Sequence, residues 1–314
     1  MTPTRALRVV TVFVVVFVAC LASNALAFNR ETHFDLTLYL SLKTPCLSFA
    51  DAAMIASADW SQDTNQTTVA EKDVWKVITL NVPSQRNWHA FESPEVVRER
   101  ANTLWKRVES ASSRELRLVY LGQLLHFTQD TISHRGYAAG YGHAFDTFFG
   151  HDPDSLAWPD RGSEAVNRTL ELVRGTAEWL ERACALFAPG PVRVRLEDRD
   201  VRLFESLVMG SDVGWRAWRF SGTSDAGLIG ERRLYGLMAQ AFDDGWWPAG
   251  LMGTPDPVAL VDAYLDWLHV IYDANGEPTN LAKLADRLER IRRGELPPNL
   301  PARSLGWSTI NVGC

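Results

Sequence analysis

Three residues in the run Leu124–Tyr137 (LLHFTQDTISHRGY) carry the first chemical signal. At helical spacing His126, Asp130 and His134 stand on one face, one turn apart from each other in succession. An imidazole, a carboxylate and a second imidazole stacked in this way form a metal-binding edge. The alternative for any one of them is a satisfied core histidine. Three in register inside an apolar run would each carry a desolvation cost unless paired or bound to a cation.

The other histidines sharpen the pattern. Six of the seven lie in the first half of the chain: His33, His89, His126, His134, His143 and His151. They are interleaved with Asp59, Asp63, Asp130, Asp146 and Asp154. His269 stands alone in an apolar segment beside Trp267 and Leu268 and reads as a core residue. Imidazole nitrogen with carboxylate oxygen is the ligand set of zinc and other borderline divalent ions. One ion needs three or four such groups, so this many predicts two or three ions with a carboxylate such as Asp130 bridging. Paired metals serve hydrolysis, lowering the pKa of water and clamping a phosphoryl oxygen.

Helices must position these groups. Asn29 is placed to cap a helix over Glu31–Leu42 with Phe34, Leu38 and Leu42 on its apolar face. The small-residue run Phe49–Gln62 reads as a tightly packed helix delivering Asp59 and Asp63 at its end. Trp88-His89-Ala90-Phe91, set between Pro83 and Pro94, reads as irregular. Glu95–Glu109 is an amphipathic helix, Glu115–His134 the central one, and helical periodicity returns over Ser163–Leu186. Residues 135–163, rich in glycine and aspartate, read as mostly loop. Val192–Val201 alternates as a short strand pair or a linker, and Leu228–Phe242 and Pro257–Tyr272 supply further helix or aromatic packing. The expected fold is all-α.

At 314 residues, 46% of them hydrophobic, the chain can bury a sizeable core. Arg5 and Arg8, the apolar run Val9–Ala22 and the small-residue site Ala25-Leu26-Ala27 compose a secretory signal over residues 1–27. Its removal moves the formal net charge from −6 to −8. That charge offers no extended groove for a nucleic-acid duplex, although a metal cluster attracts phosphate locally. The chain is expected to be secreted or periplasmic. The exported chain would keep Cys46, Cys184 and Cys314, an odd number that allows one disulfide without deciding which.

The Leu125-His126, Asp130, Ser133-His134 pattern resembles the all-helical superfamily of bacterial zinc-dependent phospholipases C and single-strand-specific nucleases, and is most similar to its bacterial phospholipase-C-like branch. The resemblance spans about residues 28–175 and implies a multi-helix domain over 28–314 with a tri-metal cleft. In that superfamily the terminal amine and carbonyl of the mature chain bind a zinc. The resemblance thus implies that Phe28 and His33 hold one ion. Asp63, His89 and His126 would hold a second, with Asp130 bridging. A third would take His134 with a histidine and a carboxylate from the loop beyond, drawn from His143, His151 and Asp154. That loop departs from the family pattern, because Thr147 and Ser155 stand where an acid is expected four residues after each histidine.

The reaction implied is zinc-dependent phosphoester hydrolysis, with Asp59 or Asp63 as the catalytic base and Arg86 and Arg135 as phosphate-binding groups. The expected substrate is a phospholipid or another phosphoester, with contact at a membrane surface. Single-stranded nucleic acid is the alternative within the superfamily, and a non-catalytic, metal-stabilised module that binds lipid or protein is the alternative outside it. No obligate protein partner is evident in the sequence.

Overall fold

The helix Phe49–Thr64 is built from alanine and serine, and twelve of its sixteen residues are buried. Small side chains let neighbouring backbones come close, which makes this helix the inner layer of the fold. Its N-terminus is closed by a capping box: the Ser48 hydroxyl accepts from the Asp51 N–H, and the Asp51 carboxylate accepts from the Ser48 N–H. The computed structural model describes residues 31–69, 82–137, 163–194 and 263–295, with isolated positions 139, 196, 200, 297 and 298.

Described in chain order, a π-helical segment (Glu31–Leu36) runs into α1 (Thr37–Leu42), followed by α2 (Phe49–Thr64), α3 (Pro83–Trp88), α4 (Pro94–Ser110), α5 (Arg114–Ser133), α6 (Ser163–Cys184) and α7 (Leu281–Arg292). Helix α5 is apolar on nearly every side, so it is the buried axis, packed by α2, α4 and α6. Gly122 sets its distance from α2. A Cβ there would lie 2.5 Å from the Ile55 carbonyl oxygen and 2.8 Å from the Asp59 nitrogen. The backbones of α2 and α5 therefore touch one turn before His126. This is what brings Asp59 and Asp63 beside His126 and Asp130.

The all-α expectation holds among the described residues. The strand pair expected over 192–201 is absent from its described positions, and an isolated bridge between Tyr272 and Pro278 is the β-type pairing seen. Three local differences have physical causes. Residues 83–88 form a short helix, with Pro83 at its first turn, and irregular backbone begins only at His89 and continues through Ala90 at φ 54°. Helical backbone over 263–267 does not continue to Tyr272, because α2 takes over its hydrogen bonds. Ser61 Oγ accepts from the Val270 N–H, and Asn65 Oδ1 accepts from the Tyr272 N–H. The helix α7 was not expected, although Leu284, Leu288 and Ile291 form its buried stripe.

Cys46 pairs with Cys184, which joins the loop before α2 to the last turn of α6. Closing a loop of 138 residues restricts the unfolded chain by about 5 kcal/mol in the loop-entropy view. Cys314 and residues 1–27, where the secretory signal is expected, lie outside the described residues. No helix among the described residues is long and apolar enough to cross a membrane.

Candidate metal centre

Four parts of the chain deliver the cluster. The π-helical segment supplies His33, the last two turns of α2 supply Asp59 and Asp63, the residue after α3 supplies His89, and α5 supplies His126 and Asp130. His134 follows as the C-cap of α5. His33, Asp59, His89, His126 and Asp130 are fully buried, while the Asp63 side chain keeps 8% exposure.

Hydrogen-bond partners assign the imidazole tautomers. His89 Nε2 lies 2.9 Å from the Thr68 carbonyl oxygen, which can only accept, so Nε2 carries the hydrogen. Its Nδ1 lone pair then faces Asp130 Oδ2 at 3.0 Å, His126 Nε2 at 3.2 Å and Asp63 Oδ1 at 3.6 Å. His33 is reversed. Its Nδ1 sits between Gln129 Oε1 at 2.8 Å and Asp59 Oδ1 at 2.9 Å, and its Nε2 faces Asp130 Oδ1 at 3.2 Å and Asp63 Oδ2 at 3.7 Å. His126 matches it, with Nδ1 3.2 Å from Asp59 Oδ1 and Nε2 3.4 Å from Asp130 Oδ2 and 3.7 Å from Asp63 Oδ1.

Three ring lone pairs and two carboxylates thus converge on one another. Acceptor facing acceptor in a buried space is unfavourable without a proton or a cation between them. The separations of 3.0 to 3.7 Å suit neighbouring ligands on an ion with bonds of about 2.1 Å. Two sets could hold a metal ion, His33 with His126 and Asp130, and Asp63 with His89 and His126. Both carboxylates span the two sides of the cluster. Each turns one oxygen toward His33 and the other toward His89 and His126.

The electrostatics agree with a site that favours positive charge. Burial pushes the His33 and His89 pKa values down, but Asp59 acting on His33 and Asp130 acting on both outweigh it and raise them. Burial, with the His33 charge, drives His126 well below its ordinary value, which keeps that ring neutral. Burial would raise Asp130, yet the surrounding histidines hold it well below the usual carboxylate range. Burial lifts Asp59 to about 7, against the pull of His33.

No protein-family model, curated protein or solved structure matches the chain. The site is therefore read from its own geometry.

The other expected site residues fall into three groups. Phe28, His143, His151 and Asp154 lie outside the described residues. His134 is near the cluster but not in either ligand set. Its Nδ1 bonds to the His89 carbonyl oxygen and stands 3.8 Å from Asp130 Oδ2, while its ring stacks on Phe91 with centroids 3.8 Å apart. Arg86 and Arg135 line a groove of about 1340 Å³ between α4, α5 and α6, but each is engaged: Arg86 with Glu92 at 3.2 Å and Arg135 with Glu171. His269 is half-buried rather than a core residue, and its Nε2 lies 2.9 Å from Thr64 Oγ1.

Sequence reasoning missed the groups behind the rings. Gln129 bonds to His33 through Oε1 and donates from Nε2 to Thr37 Oγ1 at 2.8 Å, and Thr37 donates to Asp59 Oδ2 at 2.7 Å. Spacing held a clue, since Thr37 is one turn after His33 and Gln129 adjoins Asp130. Arg98 and Arg174 were also missed. They line the same groove with no ion pair among the described residues.

Proposed function

We propose that the chain is an exported, zinc-dependent phosphoester hydrolase of the phospholipase-C-like kind. The observation that supports this best is the convergence of three imidazole lone pairs and two carboxylates on one buried space. His33, His89, His126, Asp63 and Asp130 would hold the metal, with both carboxylates shared between two ions. A third ion would draw on His134 with His143, His151 and Asp154. Bound zinc supplies Lewis acidity toward a phosphoryl oxygen and acidifies water.

The protein's own residues do the rest. Asp63, the one of these five ligands with an exposed edge, stands where a carboxylate can take a proton from water. The groove comes up to the cluster at His134 and Gln129, which line it and contact cluster residues, His134 at 3.8 Å from Asp130 Oδ2 and Gln129 at 2.8 Å from His33 Nδ1. Its wall pairs apolar Phe91, Val97 and Ile132 with cationic Arg98 and Arg174. That combination suits an amphiphilic phosphoester better than a polynucleotide, so a phospholipid at a membrane surface is the favoured substrate. Arg98 and Arg174 replace Arg86 and Arg135 as the phosphate-binding pair in this reading.

The deciding experiment offers the purified protein a phospholipid, single-stranded DNA and RNA, and a simple phosphodiester, each with and without chelator. Chelator-sensitive release of a phosphorylated headgroup is expected. Shortened polynucleotide would move the assignment to a nuclease. The near-complete burial of the cluster favours a second reading, a metal-stabilised module without turnover, since closed sites are structural. A full metal load with silence on every substrate would establish that reading instead.

A further inference from the structure

Asp59 and Asp63 lie one helical turn apart on α2, yet they meet the histidines from opposite sides. Asp63 and Asp130 address His33 Nε2 and His126 Nε2. Asp59 addresses the other nitrogen of both rings, with the same oxygen, Oδ1, at 2.9 Å from His33 Nδ1 and 3.2 Å from His126 Nδ1. The two rings are close, with centroids 4.0 Å apart and planes tilted by 31°, and both turn Nδ1 toward the same Asp59 oxygen.

We infer that Asp59 is a positioning residue that grips His33 and His126 from behind and aims both Nε2 lone pairs into a single metal cradle. The inference rests on the metal reading of the cluster proposed above. Three observations carry it. Both Asp59 oxygens are occupied, Oδ1 by the two rings and Oδ2 by the Thr37 hydroxyl. The carboxylate is fully buried and is not among the described residues that line the groove. Its surroundings are braced, because Gln129 shares His33 Nδ1 and donates to both Thr37 and Thr176. A carboxylate on the far nitrogen of a ligating histidine fixes the tautomer, orients the ring and makes it a stronger ligand. Here one carboxylate does this for two ligands at once.

The test is zinc affinity by competition with a chromophoric chelator, together with the visible spectrum of the cobalt-substituted protein. Asp59→Asn should keep the wild-type number of ions, bind them about 10- to 100-fold more weakly and shift the cobalt bands. Thr37→Val, which leaves the ring contacts in place but removes the hydroxyl that donates to Asp59 and accepts from Gln129, should weaken binding by about five- to thirtyfold, the worth of one to two hydrogen bonds. It also keeps the inference testable if Asp59→Asn does not fold. Asp63→Asn should lower the number of ions bound. Unchanged affinity and spectrum in Asp59→Asn, or in Thr37→Val where that variant stands in for it, overturn the inference. So does a loss of ions in Asp59→Asn equal to that in Asp63→Asn, which would make Asp59 a ligand. A wild-type protein that takes up no zinc overturns the metal reading and this inference with it.

Discussion

Helix α2 carries one carboxylate near its first turn, Asp51, and two near its last, Asp59 and Asp63, and the surroundings of the two ends are opposite in kind. At the first turn every neighbour of Asp51 is a donor. The Ser48 hydroxyl lies 2.6 Å away and its N–H 2.9 Å, Arg114 Nη2 is at 2.9 Å, and Arg292 Nη2 is at 3.1 Å. At the last turns Asp59 takes the Nδ1 hydrogens of His33 and His126, which leaves Asp63, with Asp130 across from it, facing Nε2 of those two rings and Nδ1 of His89. The first end is neutral by the chain's own cations and is fastened nearby by the Cys46–Cys184 disulfide. The second gathers ring nitrogens and carboxylates that could hold a metal ion. A carboxylate cluster is a candidate binding site when its donors run out, and it is a structural clasp when they do not.

The largest expected effect is at the histidine-facing end of α2. His126 belongs to both ligand sets, so His126→Ala should abolish metal binding and activity together. Metal held 1,000-fold above its dissociation constant stabilises the folded chain by about 4 kcal/mol. For a chain of this size that corresponds to roughly 6 °C in melting temperature. Chelation of the wild-type protein should produce a drop of similar size, and chelator should then do nothing further to the variant. Calorimetry with elemental analysis checks this. A wild-type melting temperature indifferent to chelator would remove the contrast between the two ends.

Next comes the contact that brings α2 and α5 together. Gly122→Ala puts a methyl against the Ile55 carbonyl and the Asp59 nitrogen, both backbone atoms that cannot swing aside. Overpacking of this kind costs about 1–3 kcal/mol. Because the two helices carry Asp59, Asp63, His126 and Asp130, zinc affinity should fall as well. Gly175→Ala is the control. A methyl there meets nothing within 4 Å, and in a helix it should stabilise by about 0.5–1 kcal/mol. Equal denaturation midpoints for the two variants would show that the helices are not in close contact at Gly122.

At the donor-rich end, Asp51→Asn leaves Arg114 and Arg292 without their shared carboxylate. Removing one partner of a buried pair costs about 3–5 kcal/mol at most, and the part-exposed arginines bring this to about 2 kcal/mol. Zinc content should be unchanged, because nothing in the cluster touches Asp51. Loss of metal in this variant would show that the two ends of α2 are coupled.

The same contrast explains what was legible in the sequence. The helices α2, α4, α5 and α6 were readable because small-residue runs, serine caps and apolar periods are local signals. His33, His89, His126, Asp63 and Asp130 were gathered with other histidines and aspartates by residue type and singled out by the family resemblance, and the folded chain brings them within contact of each other. What spacing could not show was direction. Nothing local says that Asp59 meets the rings from behind while Asp63 meets them in front, since that depends on how α2 and α5 are rotated about Gly122. Arg86 and Arg135 were chosen for standing beside histidines in sequence, and in space each faces a glutamate instead. The helix α7 carried a clear Leu284, Leu288, Ile291 stripe that went unread beside the richer signals upstream. The end of helical backbone at 267 was illegible because its cause is Ser61 and Asn65, some two hundred residues away.

The smallest effect is the acid limb of stability, and it belongs to Asp51. Burial would raise its pKa, but the hydrogen bonds from Arg114 and Ser48 hold it at about 2. An unfolded aspartate titrates near about 3.9. Between those values the unfolded chain takes up a proton that the folded chain refuses, so stability falls as the pH falls. The contribution is complete above about pH 4, declines as the pH drops toward 2 and is gone below it. Metal-free protein should be used, so that ligand protonation in the cluster does not add a metal-release step to the curve. Urea midpoints from pH 5 to pH 2.5 should then slope downward more steeply in the wild type than in Asp51→Asn, whose amide does not titrate. Parallel curves would mean that Arg114 and Arg292 do not hold the carboxylate charged, and the donor-rich end of α2 would no longer stand as the self-neutralised counterpart of the metal cradle.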